Sequence, residues 1–253
     1  MPPGPLIILK IPCNLGSLKE SHVEEAPDKI VEATKEFFFS DGFEVEEVEV
    51  IKDNVSETQE NIEKKVREID GFFVALGGDH SITYPIVKGL RRPWLLFLDA
   101  HPDCQSSFYP VSYEDVVRGL VEHDLVKGVI MLGVRNWSQE EREFMRKHDL
   151  NVFTANEVFE RGMKQVTDEV MGRLKGERFY VSIDIDVFDP AFAPGTGWIE
   201  PGGLSSRDVI YLLRKLKLLK GFVGMDVVEV DPRKDVNDMT IKLAARLLLE
   251  SKS

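Results

Sequence analysis

Short apolar segments alternate along this chain with stretches whose apolar positions recur at helical spacing. Continuous apolar runs occupy residues 6–11, 72–76, 94–98, 129–134, 179–185 and 222–228. Such runs are typical of strands that are buried on both faces of a parallel sheet. Residues 43–51 alternate valine with glutamate, which predicts an edge strand with one solvated face, and residues 151–153 form a further short strand.

Helical periodicity predicts the elements between the strands. The predicted helices span residues 27–39, 56–69, 82–90, 113–123, 138–148, 164–174, 205–219 and 235–249. Ser138 and Glu141 have the spacing of a capping box, and Ser205 is a predicted N-cap. Strand and helix alternate without a linker or repeat, so we expect one α/β domain over residues 1–253 with a mostly parallel sheet of about eight strands.

Two acids end the apolar run at residues 179–185. Asp184 and Asp186 are two residues apart, so on a strand they would point to the same side near its carboxyl end, where α/β sheets bind ligands. Two buried carboxylates repel each other, and a cation would remove that repulsion. The alternative is a pair of capping or loop acids, which we rank below a metal site because other strand ends supply matching ligands.

Those ligands follow two other apolar runs. His80 follows Gly77 and Gly78, and residues 99–103 carry three polar side chains spaced by two, Asp99, His101 and Asp103. Taken separately, these segments could be a tight turn with an exposed histidine and a polar loop with a helix cap. Together with Asp184 and Asp186 they give two imidazoles and four carboxylates, a thiol-free set that suits Mn²⁺ or Mg²⁺. Six ligands exceed what one open site needs, so we expect bridging carboxylates, two metal ions and hydrolytic chemistry.

The amino-acid composition limits the classes of binding partner and the cellular compartment that we expect. A formal charge of -12 argues against binding to nucleic acid or anionic membranes and mildly favours a cationic substrate, although solubility explains most of it. The two cysteines, Cys13 and Cys104, indicate no disulfide framework, so we expect a cytoplasmic protein, and we interpret Cys104 as incidental to the chemistry. Residues 1–5 lack the pattern of a signal peptide, and no apolar run approaches a membrane span.

The polar motifs occur in a fixed order along nearly the whole chain. They are Gly77-Gly78-Asp79-His80-Ser81, Asp99-Ala100-His101-Pro102-Asp103, Ser182-x-Asp184-x-Asp186-x-x-Asp189-Pro190 with Pro194-Gly195-Thr196-Gly197, Pro201-Gly202-Gly203-Leu204 and Val228-Glu229-Val230-Asp231-Pro232. This ordered set resembles the ureohydrolase family, which includes arginase, agmatinase and formimidoylglutamase. The resemblance implies a three-layer α/β/α fold around an eight-stranded parallel sheet, and a dimanganese centre that hydrolyses a guanidino group to urea and an amine.

The resemblance also implies roles for individual residues. One ion would be held by His80, Asp99, Asp103 and Asp184, and the other by His101, Asp99, Asp184 and Asp186, with Asp99 and Asp184 bridging. Asp103 would accept a hydrogen bond from a metal-bridging hydroxide that attacks the guanidino carbon. Glu229 would pair with the substrate guanidinium, whose planar fork a carboxylate meets with two hydrogen bonds; the alternative for Glu229 is an exposed loop acid.

The chain departs from the family pattern at the substrate side of the site. Tyr113 stands where arginases and agmatinases commonly carry a histidine that shuttles a proton, and with a pKa near 10 a tyrosine is a poorer shuttle at neutral pH. Trp198 follows the 194–197 segment where Thr-Pro is usual, so it would reshape the pocket, either by stacking on a planar cation or simply by filling volume. We therefore count Tyr113 and Trp198, with Glu229, as substrate-binding candidates.

The substrate remains open among several compounds. No cation that could bind a substrate carboxylate can be placed from the sequence, so we expect agmatine before arginine. The alternatives are a formimino or other C–N substrate at the same metal site, and a catalytically silent homologue stabilised by metal. By resemblance we also expect a homo-oligomer, either a trimer or a hexamer.

Overall fold

A single parallel sheet organises the residues that the structure, a computed structural model, describes: 6–37 and 42–252. Its strand order is β2-β1-β3-β8-β7-β4-β5-β6. The strands are β1 Leu6–Ile11, β2 Phe43–Glu47, β3 Phe73–Gly77, β4 Trp94–Leu98, β5 Gly128–Leu132, β6 Asn151–Phe153, β7 Phe179–Asp184 and β8 Phe222–Val228. Strand β2 lies at one edge of the sheet, as predicted, with three of its five side chains exposed. The exposure does not follow the alternation of the sequence, because Val45 is among the exposed side chains.

Helices cover both faces of the sheet. Within the described residues they are α1 Ala26–Thr34, α2 Val55–Glu68, α3 Thr83–Gly89, α4 Val116–Glu122, α5 Gln139–Lys147, α6 Ala155–Arg161, α7 Met163–Leu174, α8 Ser206–Leu216 and α9 Met239–Ser251. Residues of α1, α7, α8 and α9 pack in one core, and residues of α2 to α5 pack in a second core on the opposite face. The predicted three-layer α/β/α fold is confirmed. None of the described helices has the length and apolar character that crossing a bilayer requires.

Several predicted helix bounds were wrong, and side-chain hydrogen bonds explain one of the differences. Helix α4 begins at Val116 rather than at residue 113, because the Asp115 carboxylate accepts hydrogen bonds from the backbone of Phe108 and Ser112 and closes a loop there. Helix α9 begins at Met239 rather than at residue 235. Helix α1 ends at Thr34, short of the predicted end at residue 39, and residues 38 and 39 of that prediction lie outside the described residues.

One helix was missed altogether, although its sequence carries a signal. Thr154 and Glu157 form a capping box at the start of α6: each side chain bonds to the other's backbone N–H. This is the same device that correctly predicted α5 from Ser138 and Glu141. The short length of α6 leaves too few apolar positions for helical periodicity to stand out.

The sheet brings the carboxyl ends of four central strands side by side. Strand β8 pairs with β3 and β7, and β7 pairs with β4, all in parallel. The paired positions run to the strand ends, where Asp184 lies beside Val228 and Leu98 lies beside Ile183. Segments that leave these four strands therefore emerge at one edge of the sheet, where the predicted site residues are found.

Candidate metal centre

Tight backbone packing places His80 at the end of β3. A Cβ added to Gly78 would lie 1.6 Å from the Cys13 carbonyl oxygen, so only glycine allows the chain to pass there. The next residue, Asp79, caps a single 3₁₀ turn by accepting a hydrogen bond from the Ser81 backbone N–H at 2.9 Å. The His80 ring then stacks on Phe97, with ring centroids 4.8 Å apart. The Gly-Gly-Asp motif thus fixes where the imidazole points.

The His80 Nδ1 atom faces three carboxylates. It lies 3.1 Å from Asp99 Oδ2, 3.2 Å from Asp103 Oδ2 and 3.3 Å from Asp184 Oδ2. All four side chains are buried. His80, Asp99 and Asp103 present ligand atoms close enough together to hold one ion.

A second group of ligand atoms shares Asp99. His101 Nδ1 lies 3.0 Å from Asp186 Oδ2 and 3.4 Å from the other Asp99 oxygen, Oδ1. These three residues form a second cluster that could hold an ion. The two oxygens of Asp99 face different histidines, which is the arrangement of a bridging carboxylate. Bridging by Asp184 stays a prediction, because its Oδ2 atom lies beside His80 while its Oδ1 atom accepts a hydrogen bond from the Asp186 backbone at 2.8 Å.

Asp184 and Asp186 are brought to the site by a turn, so the expectation that both lie on a strand was wrong. Strand β7 ends at Asp184, and residues Ile185–Val187 form a 3₁₀ turn that the Asp184 side chain caps. The Asp186 carboxylate also accepts a hydrogen bond from the Ala100 backbone N–H at 3.0 Å. The two acids are neighbours because of these hydrogen bonds, and the two-residue period of a strand plays no part.

The donor set fits a pair of divalent cations. Burial and repulsion between the acids raise the pKa of Asp184 and Asp186, and burial with the Asp99 charge raises the pKa of Asp103 to about 7. Bound cations would remove this penalty. His80 Nδ1 and Asp99 Oδ2 are buried without a hydrogen-bond partner among the described residues, although such atoms are normally paired.

A hydrogen-bond chain below His80 sets its tautomer. Ser182 Oγ donates to the Asp226 carboxylate at 2.7 Å, so its lone pairs are free to accept from His80 Nε2, which lies at 2.8 Å. Thr83 also donates to Asp226, at 2.9 Å. With its proton on Nε2, His80 presents a lone pair on Nδ1 to the carboxylate cluster, which is the form that ligates a metal. No role was predicted for Ser182 or Asp226, although Ser182 is the first residue of the Ser-x-Asp-x-Asp motif.

Polar side chains also hold His101 in position. Its Nε2 atom is 3.4 Å from Glu200 Oε1, and the Asn136 amide donates to the same oxygen at 2.7 Å. The Arg135 guanidinium donates to backbone carbonyls at Asp186 and Glu200, at 2.7 and 2.6 Å. Arg135 therefore holds the loop that carries Asp186 against the loop that carries Glu200. No motif in the sequence pointed to these three supporting residues.

Glu229 lies against the metal-ligand cluster in an unusual backbone conformation. Its φ of 61° is in the left-handed region, as is the φ of 47° at Asp103. Such angles are uncommon in non-glycine residues and cluster at functional sites. The Glu229 carboxylate accepts a hydrogen bond from the His80 backbone N–H at 2.8 Å, and burial together with the nearby Asp79 charge raises its pKa to about 8. A bound cation would stabilise the ionised form of this buried carboxylate.

The predicted substrate contacts and most of the ligands line one cavity of about 320 Å³. Its walls are His101, Asp103, Gln105, Tyr113, Glu114, Asn136, Trp137, Ser138, Glu141, Asp184, Asp186, Trp198 and Glu229. Tyr113 reaches it from the turn before α4, where burial raises the pKa of the phenol above its ordinary value, so the hydroxyl keeps its proton at neutral pH.

Cys104 is buried, its thiol pKa is raised, and it is not among the residues that line this cavity, which agrees with its interpretation as incidental to the chemistry.

Comparison with known proteins identifies the family. The sequence model of the Arginase family matches residues 5–252. This chain belongs to the arginase family. The resemblance that its motifs carry is thereby confirmed.

Members of the arginase family resemble this chain in sequence and in structure. Mitochondrial arginase 1 of Arabidopsis thaliana is 37% identical over 70% of this chain and 53% of its own length. Proclavaminate amidinohydrolase of Streptomyces clavuligerus is 37% identical over 69% of this chain and 59% of its own length. The crystal structure of formimidoylglutamase from Bacillus subtilis superposes with a TM-score of 0.90 at 25% identity, over 98% of this chain and 85% of the other. In the sequence alignments, the chain spans little more than half the length of the first two relatives.

Proposed function

We propose that this protein is a metal-dependent amidinohydrolase that cleaves a guanidino compound to urea and an amine. The observation that carries the proposal is the pair of ligand clusters that share Asp99 beside a cavity that Glu229 also lines. Membership of the arginase family supports it. The relatives named above include an arginase, an amidinohydrolase and a formimidoylglutamase, all names of enzymes that act on linear amidines.

The donor set favours two manganese ions per chain. Four carboxylates and two imidazoles, without a thiolate, suit a hard or borderline divalent ion. His80, Asp99 and Asp103 would hold one ion and His101, Asp99 and Asp186 the other, with Asp184 beside the first. When bound, such ions supply Lewis acidity and lower the pKa of water.

The protein's own groups would bind the substrate and handle protons. Glu229 would accept hydrogen bonds from two guanidinium N–H groups, and the cation would keep this carboxylate ionised despite its raised pKa of about 8. Asp103 would accept a hydrogen bond from the attacking water and orient it toward the guanidino carbon. One C–O bond forms, the C–N bond to the alkyl amine breaks, and the amine leaves with a proton from water. Tyr113 would line the pocket with its proton retained.

One alternative reaction would use the same metal ligands. The structural likeness to formimidoylglutamase favours a formimino substrate at the same ligand cluster. We expected agmatine before arginine because the sequence alone offered no cation for a substrate carboxylate. Lys19 and Lys234 line a recess beside the cavity, so this argument no longer favours agmatine. Cytoplasmic location and assembly into a trimer or hexamer remain predictions.

A product assay on Mn²⁺-loaded protein tests the proposal. Agmatine, arginine, guanidinobutyrate, guanidinopropionate and formimidoylglutamate would each be supplied, and urea and formamide would be measured. Urea from any guanidino compound, abolished in Asp103→Asn, supports the amidinohydrolase. Formamide from formimidoylglutamate alone would favour the formimino reaction. No product from any compound, with two ions bound, would contradict both and favour the silent homologue.

A further inference from the structure

The side chain of Lys19 lies over Trp198, a residue of the cavity wall. Its ammonium nitrogen is 2.9 Å from the centroid of the Trp198 ring. Trp198 also meets the His101 ring edge-on, with ring centroids 5.9 Å apart. A positive charge is thus held one aromatic ring away from a predicted metal ligand. Lys19 is far from these residues in sequence, and no motif pointed to it.

The loop that carries Lys19 is held in place by hydrogen bonds. The Asn14 side chain and Ser21 exchange two hydrogen bonds, both at 2.8 Å, which close the loop on itself. The backbone N–H of Gly16 donates to the buried Asp79 carboxylate at 3.0 Å, and Asp79 directly precedes His80. A Cβ at Gly16 would lie 2.3 Å from Ser81 Oγ, so the loop packs directly on this motif. The position of Lys19 is therefore tied to the position of the metal cluster.

Lys19 lines a narrow recess of about 20 Å³ that adjoins the main cavity. The two spaces share three wall residues, Tyr113, Trp198 and Glu229. Lys234 also lines the recess, where its ammonium lies 3.7 Å from Asp231, and Glu20 contributes one acid. Among the described residues, no carboxylate lies within ion-pair distance of Lys19, so its charge is available to a ligand.

We propose that Lys19 binds a carboxylate at the tail of the substrate, so that the preferred substrate is an ω-guanidino acid. The assignment rests on the proposed function, and it names the substrate class of the same site. Such a compound carries a cation at one end, for Glu229, and an anion at the other, for Lys19. A charge-assisted hydrogen bond to an ammonium is about twice as strong as a neutral one. Agmatine would instead bring its own ammonium toward Lys19 and Lys234, where like charges repel.

Three substrates of similar length separate charge recognition from chemistry. Guanidinobutyrate ends in a carboxylate, agmatine in an ammonium and butylguanidine in a methyl group. We expect the Mn²⁺-loaded protein to hydrolyse guanidinobutyrate with a kcat/KM at least about tenfold above that for agmatine. Lys19→Met keeps a flexible stem over Trp198 and removes the charge. It should lower kcat/KM for guanidinobutyrate by roughly tenfold to a hundredfold, mainly through KM, and leave butylguanidine within about twofold.

Two further variants sharpen the test. Lys19→Glu should reverse the preference, with agmatine becoming a better substrate than guanidinobutyrate. Lys164→Met removes an exposed lysine that lines neither space, and it should leave all three substrates unchanged.

Two results would overturn the assignment while leaving the proposed function standing. One is equal turnover of guanidinobutyrate and agmatine by the unmodified protein. The other is a loss in Lys19→Met that is the same for all three substrates, which would indicate a purely structural role. Absence of urea from every substrate, with metal bound, would overturn the proposed function and this assignment with it.

Discussion

Replacing Glu229 with glutamine isolates the charge that we expect to hold the substrate. The side chain keeps its shape and still offers an oxygen to the His80 backbone N–H, with which the carboxylate now makes a 2.8 Å hydrogen bond. Glutamine cannot supply the negative charge that a guanidinium requires. The variant should therefore bind metal as the unmodified protein does and lose activity.

The size of the loss follows from the burial of Glu229. Only 7% of the residue is exposed, so solvent screens its interaction with a bound cation little. Removing one partner of a buried, hydrogen-bonded charge pair costs about 2–5 kcal/mol. With about 1.4 kcal/mol for each factor of ten, kcat/KM should fall by roughly 30-fold to several thousandfold.

Urea release under Mn²⁺ saturation measures this change, with metal content determined on the same samples. Glu114→Gln is the matched control, because Glu114 lines the same cavity and is only half-buried, so it should change kcat/KM by less than about threefold. Activity within about threefold of the unmodified protein in Glu229→Gln would refute the role of this carboxylate. Loss of metal together with activity would assign Glu229 to the support of His80 instead.

Three other substitutions test the metal cluster and its supports. Asp99→Asn should remove most bound Mn²⁺ at both positions, because Asp99 faces both histidines; elemental analysis that finds one ion retained at full occupancy would argue against a shared ligand. Ser182→Ala should weaken Mn²⁺ binding by about 10- to 100-fold, because His80 loses the acceptor that fixes its tautomer; a calorimetric Kd equal to that of the unmodified protein would exclude this role. Gly78→Ala should prevent stable folding, because its Cβ would overlap the Cys13 carbonyl; a melting temperature unchanged by this substitution would show that the loop can move aside.

The sequence predicted the sheet well because its strands are buried on both faces. Six continuous apolar runs, together with the short strand predicted at residues 151–153, marked seven of the eight described strands to within two residues at each end. The prediction for edge strand β2, which rested on alternation, extended four residues too far. Helix ends were harder to predict where a side chain closes a loop. The Asp115 carboxylate accepts hydrogen bonds from the backbone N–H groups of Phe108 and Ser112, and no local sequence pattern predicts this interaction.

The sequence predicted that the site residues lie close together, but it did not predict all of the interactions that bring them there. Strand ends of a parallel sheet meet at one edge, so His80, Asp99 and Asp184 were expected to be close. The 3₁₀ turn after Asp184 depends on a capping hydrogen bond, and the two-residue spacing of Asp184 and Asp186 suggested a strand instead. Lys19 could not be found at all, because its contact with Trp198 depends on how a distant loop packs on the finished fold.

Titration of metal-free protein with Mn²⁺ tests the two-ion centre most directly. Bound ions per chain and urea release from a hydrolysed guanidino compound would be followed together. We predict binding that saturates at two ions per chain, with urea release absent in the chelated protein and maximal at saturation. Urea release that survives chelation, or a chain that binds no Mn²⁺, would contradict the assignment of His80, Asp99, His101, Asp103 and Asp186 as the metal centre of an amidinohydrolase.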